Sequence, residues 1–220
     1  MKISIKNSWE SLTWNEYEQL EQILNADIPT DYKTVHIVSV LSGLSVDEIE
    51  ALPISQFQKF LPALDFLNTE PETHHHKFEY TINGREYEFK GKIDEITTAQ
   101  YIDYRSYMEK EQKDVIELMS AFMIPKGHEY NDGYDMDVVK NDIKDMCWLD
   151  IRACTFFFRI QLAAYILILK SSLVKSMKKT KKNRKQKKEE IKQVEESLNN
   201  MVYYLLYSEF VNARILDSIQ

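Results

Sequence analysis

The sequence predicts a mainly α-helical protein with a small β-hairpin, an α+β arrangement in which helices supply most of the core. Glycine and proline number only 5 each among 220 residues, whereas sandwiches and barrels need many tight turns. Hydrophobic residues make up 44% of the chain, and most of them recur at helical spacing. Two alternating runs flank Asn83-Gly84, which is the strongest short-range indication of a hairpin.

Residues 1–67 are predicted to form an N-terminal module of four short helices. Thr13 can cap a first helix, and a second is expected over residues 32–41. Ser45 and Glu48 form a capping box for a third helix, and Pro53 opens the fourth. The apolar positions that define the first and fourth helices are Trp14, Tyr17, Leu20, Ile23, Leu24, Phe57, Phe60, Leu61, Leu64 and Leu67.

A polar segment, residues 68–76 (NTEPETHHH), is predicted to be a solvated linker to a hairpin-plus-helical domain over residues 77–174. Strands are expected over 77–82 and 85–89, and helices over 97–107, 114–123, 136–145 and 147–174. The last helix is apolar nearly all round, which is typical of a helix at the centre of a bundle. A basic connection, 175–188, and an amphipathic C-terminal helix, 189–220, complete a long helical arm.

The basic connection is the main electrostatic feature of the sequence. It holds nine of the 28 basic residues and no acidic residue, so the remainder carries 19 basic against 35 acidic residues, a formal charge of −16. A nucleic-acid-binding arm would use Lys178, Lys179, Lys181, Lys182, Arg184 and Lys185. No aromatic side chain in the run can stack on bases, and the acidic remainder repels phosphates. A solvated connection, or an arm that docks on an acidic partner, is therefore favoured.

No set of residues in the sequence is arranged for catalysis, so we do not expect an enzyme, a metal site or a cofactor. The run His74 to His76 has no cysteine or paired carboxylate nearby that would complete a metal site. The loop over residues 126–135 lacks the alternating ligands and the final glutamate of a calcium loop. His36 and His128 are too scattered to pair with a credible nucleophile, and neither a G-x-S-x-G motif nor a phosphate-binding P-loop occurs.

The cysteines and the first residues of the chain favour a soluble protein of the cytoplasm, meaning the host cytoplasm if the protein is viral. Cys147 and Cys154 would lie roughly 10 Å apart along a helix, too far for a disulfide, as expected of free thiols in a reducing compartment. No secretory signal begins the chain. Arg159 and Gln161 interrupt the most apolar stretch, which favours a core helix over a membrane span.

Aromatic residues of the N-terminal module are candidate anchors for a protein partner. A module of four short helices has a small interior, so part of an apolar face can remain as a groove for a partner helix. Large aromatic side chains dominate the energetics of such interfaces, which selects Trp14, Tyr17, Phe57 and Phe60. The default interpretation of the same apolar faces is that they form the module's own core.

Residues 8–170 resemble the phage tail assembly chaperones, including the small baseplate-assembly proteins of T4-type phages. The likeness lies in the order of SWESLTWNEYEQLEQIL, ALPISQFQKFLPALDFL, FEYTINGREYEF, ITTAQYID and MSAFMIP along the chain. The resemblance implies a non-catalytic chaperone that holds a helix-rich, tape-measure-like tail protein or a baseplate protein soluble before assembly. It is compatible with a homo-oligomer.

Two other functions remain open at this stage. A structural virion or tail connector component would share the same fold and would stay in the assembled particle. A nucleic-acid-associated protein that uses the basic connection would bind in a strongly salt-dependent way, whereas chaperone binding should survive high salt.

Overall fold

The computed structural model describes residues 4–72, 74–108, 110, 114–179 and 184–207, and it confirms a mainly helical fold with a small antiparallel sheet. The helices are α1 (Trp14–Asn25), α2 (Thr30–Ser42), α3 (Val46–Glu50), α4 (Ile54–Phe57), α5 (Thr98–Met108), α6 (Val115–Ser120), α7 (Met136–Lys144), α8 (Trp148–Lys179) and α9 (Arg184–Tyr207). The strands are β1 (Glu79–Ile82), β2 (Arg85–Phe89) and β3 (Met123–Pro125). Short 3-10 helices cover Trp9–Ser11 and Leu61–Asn68.

The helix starts in the N-terminal module follow the sequence signals, but the fourth helix differs from the prediction. Thr13 and Ser45 each form a complete capping box, with Glu16 and Glu48 respectively. The expected helix after Pro53 is instead the single turn of α4 followed by a 3-10 helix. Pro62 explains the break, because proline lacks an N–H group and disfavours helical backbone in the residue before it.

The predicted hairpin is confirmed, and a third strand joins it. β1 and β2 pair antiparallel, and Asn83 (φ 50°) and Gly84 (φ 76°) both have the positive φ values of a tight hairpin turn. β3 pairs antiparallel with β2. The helix expected over residues 114–123 therefore ends early, at Ser120, because Met123 and Ile124 enter the sheet as buried residues.

The first turn of α8 joins the N-terminal module to the rest of the protein. The backbone of Trp148 donates to the Leu12 carbonyl at 3.1 Å, and its indole N–H donates to the Trp9 carbonyl at 2.8 Å. Tyr17 of α1 stacks on the same indole with ring centroids 4.2 Å apart. The core is continuous across these contacts and extends from α1 through the sheet to α8.

The segment 68–76 lies against α8, so the expectation of a solvated linker is wrong for two of its histidines. His74 Nε2 lies 2.7 Å from Asp150 Oδ1, and the His76 ring stacks on Phe157 at 3.8 Å. At the start of the segment, the Trp9 indole donates to the Thr69 carbonyl at 2.9 Å. These contacts hold residues 68–76 against the same core to which the flanking elements belong.

α8 and α9 form a long antiparallel hairpin. α8 has 32 residues, a length of roughly 48 Å at the helical rise. α9 returns alongside it, and Lys170 Nζ donates to Asn199 Oδ1 at 2.7 Å. The prediction of a central bundle helix is correct only for the first half of α8, which is largely buried. The predicted C-terminal helix is present as far as Tyr207, and residues 208–220 lie outside the described residues.

A buried carboxylate on α7 fixes the hairpin to the helices. Asp142 accepts hydrogen bonds from Tyr87 (2.5 Å), from Asn83 (3.0 Å) and twice from Arg85 (2.8 and 2.9 Å). Burial by itself raises the pKa of Asp142, but the hydrogen bonds from Tyr87, Asn83 and Arg85 outweigh that effect and lower the pKa below its ordinary value. The folded state therefore favours the ionised carboxylate.

Asp142→Ala should lower the free energy of unfolding at pH 7 by about 2–4 kcal/mol, because it leaves the buried Tyr87 hydroxyl without its acceptor. Urea unfolding measures the change. Asp145→Ala is the matched control, since Asp145 is exposed and accepts only from Asn83 in the same network. Equal losses in the two variants would contradict the assignment.

The same carboxylate predicts part of the acid sensitivity of the fold. Because its folded-state pKa lies below its ordinary value, its stabilisation is present above that ordinary value and is lost as the pH falls through the folded-state pKa. Unfolding curves recorded from pH 5 down to about pH 2 should therefore show a smaller acid loss in Asp142→Ala than in the wild type.

Candidate partner-binding surface

The aromatic anchors predicted from the sequence lie in the interior. Trp14 is 7% exposed, Tyr17 2% and Phe60 8%, and Phe57 is half-buried beside Phe60. Tyr17 stacks on Trp148, and Trp14 contacts the Tyr17 ring, so both serve the joint between α1 and α8. The prediction that these side chains anchor a partner is corrected, because Trp14, Tyr17 and Phe60 are buried and Phe57 is partly buried. The default interpretation, that they are core residues, describes them.

A shallow groove does occur in the N-terminal module, but on another side of it. The groove encloses about 400 Å³ between α1 and α2. Its lining residues are Gln19, Gln22, Ile23, Ala26, Ile28, His36, Ser39, Val40 and Val46. The mixture of amide, hydroxyl and small apolar groups offers space for one or two partner side chains rather than for a buried helix.

Among the described residues, seven of the sixteen exposed large apolar side chains lie on α8. Three of its side chains, spaced by four and seven residues, form what we call the first stripe: Phe156, Ile160 and Leu167. Four others, spaced by three, one and four, form the second stripe: Tyr165, Ile168, Leu169 and Leu173. These seven side chains are between 39% and 65% exposed.

The two stripes lie on opposite sides of the contact between α8 and α9. Leu198 and Val202 of α9 pack against the core that contains Leu162 and Ile166 of α8. Because each residue turns a helix by about 100°, Leu167 lies to one side of Ile166 and Tyr165 lies to the other. The hairpin is therefore a two-helix layer with an apolar stripe on each face.

Sequence reasoning missed this surface because it placed α8 at the centre of a bundle. A signal was present: α9 is amphipathic and offers one apolar side, so it can cover only one side of a helix that is apolar all round. By length and composition alone, α8 is also apolar enough to cross a membrane, although nearly half of its most apolar window lies inside the protein.

The tip of the hairpin carries the basic residues of the predicted nucleic-acid alternative. Lys178 and Lys179 lie in the last turn of α8, where a positive charge interacts favourably with the negative end of the helix dipole. Lys187 of α9 donates to the Lys178 carbonyl and closes the tip. Lys181 and Lys182 lie outside the described residues, as do the side chains of Arg184 and Lys185, which begin α9.

A polar cluster at the base of α8 contains the other chemically notable side chains. The Tyr80 hydroxyl lies 3.1 Å from Cys154 Sγ and accepts from the Lys77 backbone N–H at 2.8 Å. Burial raises the pKa of the Cys154 thiol to about 12, so it is protonated at neutral pH and is a weak nucleophile. Cys147 is free and half-buried.

His36 and His128 lie apart from these groups, whereas His74 contacts Asp150 beside them. His36 lines the groove in the N-terminal module, whereas His128 Nδ1 faces the Asp132 carbonyl at 3.3 Å in the loop after β3. Across the part of the chain that the structure describes, no group of three or more histidine, cysteine, aspartate or glutamate side chains is placed to hold a metal ion.

No family model, no curated protein and no solved structure matches this chain.

Trp14→Ala should lower the free energy of unfolding by about 3–5 kcal/mol, because the indole fills space in the core. Tyr32→Ala is the control: Tyr32 is 57% exposed, and its loss should cost no more than about 0.5 kcal/mol. Urea unfolding compares the two variants. Similar small losses in both would mean that Trp14 is a surface anchor after all.

Proposed function

We propose that this protein is a non-catalytic chaperone that holds a helix-rich phage tail protein, such as a tape-measure-like or baseplate component, soluble before assembly. The single observation that carries the proposal is the α8–α9 hairpin, a two-helix layer with apolar stripes on both faces. The resemblance of residues 8–170 to tail assembly chaperones supplies the class of client.

The spacing of the first stripe suits a helical client. Phe156, Ile160 and Leu167 repeat at intervals of four and seven residues, so they form a row along α8 that matches the apolar row of another helix. Side chains of a facing helix can fit between them, which is the contact that stabilises helical bundles. A long helical protein with exposed apolar rows aggregates unless such a surface covers it.

The charge of the protein supports the same role. Outside residues 175–188 the formal charge is −16, which keeps a complex soluble while its apolar rows are covered. The contact itself is apolar, so it should depend little on salt, in contrast to a nucleic-acid complex held by the lysines of the tip.

The client surface is tested by affinity capture of the tagged full-length protein from the cells that naturally make it. Washes at about 50 mM and about 200 mM salt should both retain one long helical protein, because apolar contacts are not screened. Leu167→Glu should release that protein, since it places a charge in the first stripe. Partners are identified by mass spectrometry.

Ile54→Glu is the control, because Ile54 is 69% exposed but lies on α4, away from the hairpin. It should retain the client. Recovery of nucleic acid at low salt only would overturn the proposal in favour of the basic connection. Recovery of the protein in purified virions would favour a structural tail component.

A further inference from the structure

We propose that a second copy of this chain covers the second stripe, so that two hairpins pair antiparallel into a four-helix layer. The first stripe then stays free on the opposite face of each hairpin. The dimer itself does not depend on a client. Only its consequence, that the two free first stripes offer two client surfaces, rests on the proposed function.

The second stripe is self-complementary in an antiparallel pair. Tyr165, Leu169 and Leu173 are spaced by four residues each, so a two-fold axis through Leu169 places Tyr165 of one copy opposite Leu173 of the other. Ile168, three residues after Tyr165, lies beside this row and is the most exposed of the four side chains at 65%. The first stripe has uneven spacing and lacks this symmetry.

Charge determines the direction of the pair. In the antiparallel arrangement Lys179, ten residues beyond Leu169, lies at the level of Arg159 in the second copy, so each basic tip lies against the body of the other copy. Outside residues 175–188 the formal charge is −16, so the body of one copy attracts the basic tip of the other. A parallel pair would instead bring two tips together, each part of a run of nine basic residues.

The size of the surface fits a stable pair. The four large side chains of the second stripe are roughly half exposed and together offer on the order of 400 Å² of apolar area per copy. Other atoms on the same face of the hairpin add to this area. A stable interface takes about 800 Å² from each partner, of which about 60% is apolar. The contact of each basic tip with the acidic body of the other copy supplies the polar remainder.

Sedimentation of the full-length protein at micromolar concentration should show a dimer. Leu169→Glu should weaken the dimer on the order of 100-fold or more, because two carboxylates would then face each other at the two-fold axis. Leu167→Glu is the matched control: it makes the same change at an equally exposed position of the same helix but in the first stripe, and it should leave the dimer intact. A monomeric wild type, or equal weakening by both variants, overturns the proposal.

The direction of pairing is tested by a charge exchange. Tyr165→Glu and Leu173→Lys should each weaken the dimer, whereas a chain that carries both should regain it, because each glutamate then faces a lysine of the other copy. In a parallel pair the double variant would place like charges opposite each other and would remain monomeric. That result overturns the antiparallel arrangement.

Three further outcomes separate this inference from others. Flotation of a monomeric wild type with vesicles of anionic and zwitterionic phospholipid would show that lipid covers the stripe, and would overturn the dimer. Loss of the client in Leu167→Glu with the dimer retained supports both proposals. A dimer with no client at either salt concentration would leave the self-association standing and remove the proposed function.

Discussion

The position of Trp148 is the constraint on which the rest of the structure depends. Its indole is stacked on Tyr17, hydrogen-bonded to the Trp9 carbonyl and edge-on to the Trp9 ring, so one side chain joins the N-terminal module to the first turn of α8. The adjoining backbone bonds, from Trp14 to Met146 and from Trp148 to Leu12, fix the direction in which α8 leaves the core. Since α9 packs on α8, the orientation of the whole hairpin follows from that one joint.

Local signals were enough to predict most elements of the fold. Capping boxes at Thr13 and Ser45 and the Asn83-Gly84 turn require only neighbouring residues, so the sequence reports them directly. β3 could not be found in this way, because a three-residue strand is stabilised by its partner β2 rather than by its own pattern. The prediction of a solvated linker failed for a related reason: a polar run looks solvated until Asp150 and Phe157 provide partners for its histidines.

The candidate surface was harder to predict than the fold. An aromatic row such as Trp14 and Tyr17 has the same spacing whether it faces a core or a partner, and only the position of Trp148 decides between the two. The α8 stripes posed the opposite problem, since an apolar helix suggests burial on all sides. The number of neighbours that can bury such a helix depends on the whole folded protein. The periodicity of one helix gives no information about it.

The continuity of α8 has a consequence for how tightly its surfaces can bind. Starting a helix is the costly step, and further residues add to an existing helix at little cost. Because the first half of α8 is held in the core, that step is already complete, and the outer half needs no partner to become helical. Its apolar side chains are thus held at fixed intervals before any encounter, so association loses less conformational entropy than it would if the arm had to fold on binding. If the proposed surfaces bind a partner, the hairpin offers them already ordered.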